Sequence, residues 1–196
     1  MLKKLCTALC IVALSTIALL SSSYAKASPV QILISTDQGN IQLELYPEKA
    51  PKTVENFLTY VNDKYYDGLV FHRVKEGFMI QAGAFDQDLN IREPKGEPVV
   101  NESFNGLKNA KGTIAMARKS DPNSAKSQFY INVVDNFFLD PRTHKPGYTV
   151  FGRVISGIDV AEKISKLPTK KSGHMADVPV TPIHILEAKV ITQGQK

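Results

Sequence analysis

The sequence predicts a mainly β protein: an antiparallel sheet of eight strands closed into a barrel and capped by two α-helices. Three observations predict it. Eight short apolar runs are each of strand length and are parted by turn residues. Only two stretches carry helical periodicity. No internal repeat, low-complexity tract or linker divides the chain. Such strands with only two helices favour a sheet that wraps around its own core, and closure removes exposed edges.

The elements follow in order. Residues 30–36 form a strand, Asp37-Gln38-Gly39-Asn40 a turn, and residues 41–45 alternate with period two, so the pair is a hairpin. Pro51 occupies a first-turn position, and Val54, Phe57, Leu58 and Val61 recur at helical spacing, giving a helix over residues 51–62. Residues 69–74, 78–81, 113–117, 129–134 and 150–154 are strands. A second helix spans residues 157–166, with Val160, Ala161 and Ile164 facing inward, and residues 183–191 form the last strand. Lys170-Lys171 reads as a solvated loop. Residues 86–101 and 139–148 are long polar connections, of the kind that often carry function.

Residues 1–27 stand apart. Lys3 and Lys4 make a positive start, residues 5–20 are largely apolar, three serines break the run, and Ala25-Lys26-Ala27 fits a small-x-small cleavage pattern. This is the arrangement of a secretory signal peptide, which leaves residues 28–196 as a single domain. The apolar run is too short for a comfortable transmembrane helix, so no membrane attachment is expected once it is cleaved. The leader takes Lys3, Lys4 and Lys26 and no acid, so 21 of 24 basic residues remain against 19 acidic ones, a net charge of +2. With no basic stripe, that argues against nucleic acid as a partner. Both cysteines, Cys6 and Cys10, also lie in the leader. The mature chain therefore forms no disulfide and holds no cysteine-ligated metal.

No nucleophile elbow, phosphate loop or metal-spaced histidine pair is present, and His72, His144, His174 and His184 are scattered. His72 reads as a hydrogen-bonded structural group. One segment is unusual. Residues 71–81, Phe-His-Arg-Val-Lys-Glu-Gly-Phe-Met-Ile-Gln, flank a glycine turn, and if they pair as neighbouring strands, Arg73, Met79 and Gln81 share one face. That is a polar fork beside a polarisable apolar surface. Spacing alone favours the plainer reading, an exposed salt bridge beside core residues.

The segment resembles the signature of the cyclophilin-type peptidyl-prolyl cis-trans isomerases, in which Phe-His-Arg-Val leads through Gly-Phe-Met to Gln. The resemblance continues through Gly112-Thr113-Ile114-Ala115-Met116-Ala117-Arg118, Ser127-Gln128-Phe129-Tyr130-Ile131, Phe138-Leu139-Asp140 and Val150-Phe151-Gly152-Arg153-Val154. The leader and the long 139–148 loop look like the bacterial periplasmic branch. The resemblance implies a cyclophilin-like barrel that isomerises X–Pro bonds in exported proteins and assists their folding, needing no cofactor and no metal. It makes Arg73 the catalytic residue and proline-containing, unfolded or partly folded polypeptides the partners. Phe78, Met79, Tyr130 and Leu139 become the pocket for the proline ring, and Gln81 and Gln128 the hydrogen-bonding groups around the rotating carbonyl. The backbone of Ala117 and Arg118 would hold the preceding residue.

Several positions depart from the family pattern. Tyr130 stands where Phe is usual, so its hydroxyl needs a partner. Arg118 replaces a frequent Asn, and Glu76 a common Pro. Phe138 replaces a frequent Trp and loses an indole donor, so weak cyclosporin binding is expected. Either Tyr148 or His144 takes the place of a frequent His. A monomer, located in the periplasm, is the expected state.

Overall fold

Period-two alternation produces the first hairpin. Strands β1 (Val30–Thr36) and β2 (Gly39–Leu45) pair residue for residue, from Val30 opposite Leu45 to Thr36 opposite Gly39. Ile32, Ile34, Ile41, Leu43 and Leu45 turn inward and are fully buried. The computed structural model describes residues 30–191; the signal peptide predicted over residues 1–27 lies outside them. After the hairpin come α1 (Pro51–Asn62), β3 (Arg73–Lys75), β4 (Met79–Ala82), β5 (Thr113–Met116) and β6 (Phe129–Asn132). A 3-10 turn (Phe137–Leu139), β7 (Val150–Ser156), α2 (Ile158–Ser165), β8 (Thr169–Ser172), β9 (Met175–Pro179) and β10 (Ile185–Ile191) complete the described chain.

Eight strands form one antiparallel sheet in the order β10-β1-β2-β7-β5-β6-β4-β3, and β8 and β9 form a separate hairpin. The predicted barrel overstates the closure. The sheet is a half-barrel whose end strands, β3 and β10, share no ladder. The segments just before them make the seam: Phe71 N–H donates to Ile183 O at 2.9 Å, Ile185 N–H to Leu69 O at 2.8 Å, and Val70 bridges His184. The predicted strand over 69–74 shortens for the same reason. Leu69 and Phe71 are fully buried, as an apolar run requires, but Val70 N–H turns away to Phe85 O at 2.9 Å, so the backbone divides its bonds and no continuous ladder forms. The predicted lysine loop is the β8–β9 hairpin, packed beside β3. Thr169–Ser172 is largely exposed and has no apolar alternation to announce it.

Both helices bury one face in the sheet's main core. Phe57 of α1 is central, with ring centroids 5.2 Å from Tyr66 and Phe151 and an edge-on contact to Phe129 at 5.5 Å. Ala161 and Ile164 of α2 join the same cluster. Ala50 gives α1 no side-chain cap. The Glu102 carboxylate does so from a distant loop, accepting from Lys52 N–H at 3.1 Å, Thr53 N–H at 2.8 Å and Thr53 Oγ1 at 2.7 Å. Three of the helix's free N–H and hydroxyl donors are thereby satisfied by a charge favourable to that end of the dipole.

Strands β4, β5 and β6 carry apolar side chains on both faces. Ile80, Ile114 and Ile131 point into the main core, while Met79, Ala115 and Tyr130 build a second apolar cluster on the opposite face. This explains why their sequences are near-continuous apolar runs, and it places the second cluster at the sheet surface.

Candidate active site

The site is a row of side chains across four strands. Arg73 on β3 pairs with Gln81 on β4, Gln81 with Tyr130 on β6, and Tyr130 with Ala115 on β5. Because directly opposed residues share a face, all four project to the same side, and Met79, opposite Lys75, projects there too. The β3–β4 turn is closed by Gly77 at φ +65°, a left-handed conformation that glycine adopts freely. Glu76 is exposed in that turn.

Above the row lies a cavity of about 210 Å³ lined by Arg73, Phe78, Met79, Gln81, Ala117, Arg118, Tyr130, Leu139 and Tyr148. Of the residues singled out in the sequence, two lie outside this lining. Gln128 sits beside it, accepting from Gln81 Nε2 at 2.9 Å, and lines an adjoining groove of about 420 Å³ with Gln81, Ala117 and Arg118. Phe138 is largely exposed and stacks on Phe78, with centroids 5.8 Å apart. Between the two candidates for one position, Tyr148 faces the cavity, and His144 is exposed at φ +60° in the Arg142–Lys145 turn.

Electrostatically the cavity is one-sided. The guanidinium of Arg73 lies 5.8 Å from the Phe78 ring centroid, and its Nε stands 3.5 Å from Asp177 Oδ2. The salt bridge read from spacing and the polar fork are thus both present. Arg118 forms a clamp. Its Nε donates to Gly147 O at 3.2 Å, Nη2 to Pro146 O at 3.1 Å and Nη1 to Lys119 O at 2.9 Å, while its plane covers the Tyr148 ring at 4.6 Å. Tyr148 in turn meets Tyr130 edge-on at 5.9 Å.

The buried Tyr130 hydroxyl has its partner: it donates to Asn109 Oδ1 at 2.7 Å. Asn109 is anchored by Asp140, whose Oδ1 accepts from Asn109 N–H at 2.7 Å and Nδ2 at 3.0 Å. Burial holds the Tyr130 pKa well above the ordinary phenol value, with Tyr148 and Asp140 adding to the effect. The phenol therefore stays a neutral donor. His72, behind the row, is the buried structural group expected: it packs against Phe85, and its Nδ1 has no hydrogen-bond partner. Burial, helped by the neighbouring Arg73 charge, lowers its pKa to about 4; a backbone bond with Val70 opposes the shift.

Asn109 and Asp177 carry no sequence signal for these roles. Asn109 lies in a polar connection, and Asp177 in a stretch that the sequence pattern assigns to no element. Chemically, the arrangement offers an apolar slot with aromatic and thioether walls, a fixed cation and carboxamides on one side. Among the described residues, no group of His, Cys, Asp and Glu is arranged to hold a metal.

The model of the cyclophilin-type peptidyl-prolyl cis-trans isomerase family matches residues 31–190. Peptidyl-prolyl cis-trans isomerase A of Dickeya dadantii is 47% identical over 171 residues, covering 87% of this chain and 90% of that protein. Peptidyl-prolyl cis-trans isomerase B of Escherichia coli is 43% identical over 165 residues, covering 83% and 99%. Among solved structures, a Cryptosporidium parvum cyclophilin-type isomerase aligns with a TM-score of 0.71 at 25% identity, covering 85% of this chain and 99% of that one. The same parasite enzyme solved in the presence of the dipeptide Ala-Pro aligns with a TM-score of 0.70. The chain belongs to the cyclophilin-type family. Its activity is peptidyl-prolyl cis-trans isomerisation.

Proposed function

We propose that this protein isomerises X–Pro bonds in exported polypeptides and that Arg73 is its catalytic residue. The observation that carries the reading is the guanidinium of Arg73 on the wall of an apolar cavity, in register with Gln81. Amide resonance sets a barrier of roughly 18–20 kcal/mol to rotation. No bond is broken, so the protein needs only to bind the twisted peptide better than either planar isomer. An acceleration of about 10⁵ corresponds to roughly 7 kcal/mol of such preference.

In the twisted state the proline nitrogen loses conjugation and gains a localised lone pair. A guanidinium donor stabilises that state, and arginine keeps its charge at every working pH. Phe78, Met79, Tyr130 and Leu139 hold the ring, and Gln81, oriented by Gln128, bonds the rotating carbonyl. The N–H of Ala117 is already bonded to Gln128 O at 3.0 Å, so the carbonyl of Ala117 is left to hold the preceding residue. The parasite enzyme's structure in the presence of the dipeptide Ala-Pro supports a proline-containing ligand here.

The leader over residues 1–27 supports export, and with it a periplasmic role in folding exported proteins. Among the described residues no helix is long and apolar enough to cross a membrane. We take the protein as a monomer that binds cyclosporin weakly. The test is an isomerisation assay on a short X–Pro peptide with wild type and Arg73→Ala. Fast exchange that drops by orders of magnitude in a folded variant supports the assignment. A folded wild type without acceleration would make the protein a binding module for proline-containing segments, and full activity in the variant would remove Arg73 from its role.

A further inference from the structure

We infer that Asp177, on the β8–β9 hairpin outside the cavity, is a positioning residue that aims the Arg73 guanidinium at the substrate. The inference rests on the reading of Arg73 as the catalytic residue.

The local geometry is unusual in a way that points at Arg73. Lys170 pairs with Val178 and Ser172 with Met175, so one residue on β8 faces two on β9, Ala176 and Asp177. This is a β-bulge, a device that bends a strand and re-aims a side chain. Asp177 holds its left-handed place at φ +58°, where glycine is the usual occupant and aspartate one of the few tolerated alternatives. The bulge turns the Asp177 carboxylate toward β3, with Oδ2 3.5 Å from Arg73 Nε. Among the described residues Arg73 has no other carboxylate within ion-pair distance, and Asp177 no other cation.

The contact falls on the Nε edge of the fork. The terminal nitrogens are left for the cavity, and the Phe78 ring flanks the group on another side at 5.8 Å. Arg73 is 39% exposed, and a long arginine in that setting samples many rotamers unless it is tethered. Catalysis by a placed donor is sensitive to displacements of an ångström. A half-exposed ion pair adds little to stability. Its effect therefore falls on kcat, where the guanidinium meets the twisted peptide, and not on ground-state binding or on folding.

The experiment compares wild type, Asp177→Asn, Arg73→Ala and the double variant in the X–Pro peptide assay, with thermal melts of each. Asparagine tolerates the left-handed backbone and removes only the charge; Asp177→Gly, which also accepts that backbone, serves as the second variant should the first not fold. Expected is a loss of about two- to fivefold in kcat for Asp177→Asn, in line with one half-exposed ion pair, with KM within about twofold and the melting temperature unchanged. In the Arg73→Ala background the second substitution should cost nothing more. Wild-type kcat in Asp177→Asn overturns the inference while leaving Arg73 in its role, provided Arg73→Ala still collapses. An equal further loss in the double variant overturns it as well, because Asp177 would then act without Arg73. Full activity in Arg73→Ala removes the catalytic assignment itself, and the inference with it.

Discussion

The Tyr130 hydroxyl and Asn109 Oδ1 are joined by a buried 2.7 Å hydrogen bond that ties the floor of the cavity to the loop carrying Asp140. Removing the hydroxyl leaves Asn109 Oδ1 with only the longer bond from Asn132 Nδ2, at 3.3 Å. Tyr130→Phe is therefore expected to cost about 1 kcal/mol of stability, a drop of roughly 2–4 °C in melting temperature for a protein of this size. The ring that faces the cavity is unchanged, so kcat/KM should stay within about twofold. Calorimetry and the peptide assay on the same preparation check both halves.

Arg118 spends its guanidinium on backbone carbonyls of two segments, Pro146-Gly147 and Lys119, and on the face of Tyr148. Arg118→Ala releases Tyr148 from one wall of the cavity. KM for a short X–Pro peptide should rise about three- to tenfold with kcat nearly constant, because the lost contacts orient a binding wall and not the rotating bond. Arg118→Lys should fail to restore KM, since an ammonium cannot fork across several carbonyls or stack on the ring. Faster amide exchange in residues 142–148 of the alanine variant would locate the loosening; wild-type KM in that variant would refute the clamp.

Phe138 stands outside the cavity lining, exposed and stacked on Phe78. It presents an apolar face but no N–H donor, and the weak cyclosporin binding proposed above rests on that missing donor. Phe138→Trp is expected to tighten cyclosporin binding about tenfold, the worth of one hydrogen bond plus a larger ring. Peptide turnover should change little. Titration calorimetry with both proteins measures the difference, and equal affinities would overturn the link between Phe138 and weak cyclosporin binding.

What was legible in the sequence follows strand periodicity. Arg73, Met79 and Gln81 share a face because a period of two runs unbroken on either side of the Gly77 turn, and their spacing predicts it once the two segments pair. The helix over residues 51–62 is equally legible, from Pro51 and the recurrence of Val54, Phe57 and Val61. Asp177 was hidden because a bulge breaks that period: the residue faces Arg73 only after one strand gains a residue on its partner. Asn109 was hidden because its contacts to Tyr130 and Asp140 span 21 and 31 residues and obey no local pattern. The incomplete closure was hidden because Leu69 and Phe71 look like strand residues by burial, and only the division of the backbone bonds, Val70 N–H to Phe85 and Phe71 N–H to Ile183, ends the ladder.

The burial of His72 is expected to make the stability of the fold depend on pH. Its imidazole is buried beside Arg73 and Phe85 with Nδ1 unpartnered, and burial lowers its pKa from 6.5 to about 4. Below pH 6.5 the unfolded chain takes up a proton at this position that the folded chain refuses until near pH 4. The unfolded state therefore binds more protons across that window, and stability falls as the pH falls through it; above pH 7 both states are neutral here and the contribution is flat. Between pH 7 and pH 5 the loss should be about 2 kcal/mol. Urea unfolding at the two pH values measures it, and His72→Gln, which cannot titrate, should remove most of the difference even where it lowers stability overall. A wild type equally stable at pH 7 and pH 5, or a His72→Gln variant with the full pH dependence, would show that the burial of this imidazole is not what couples folding to protons.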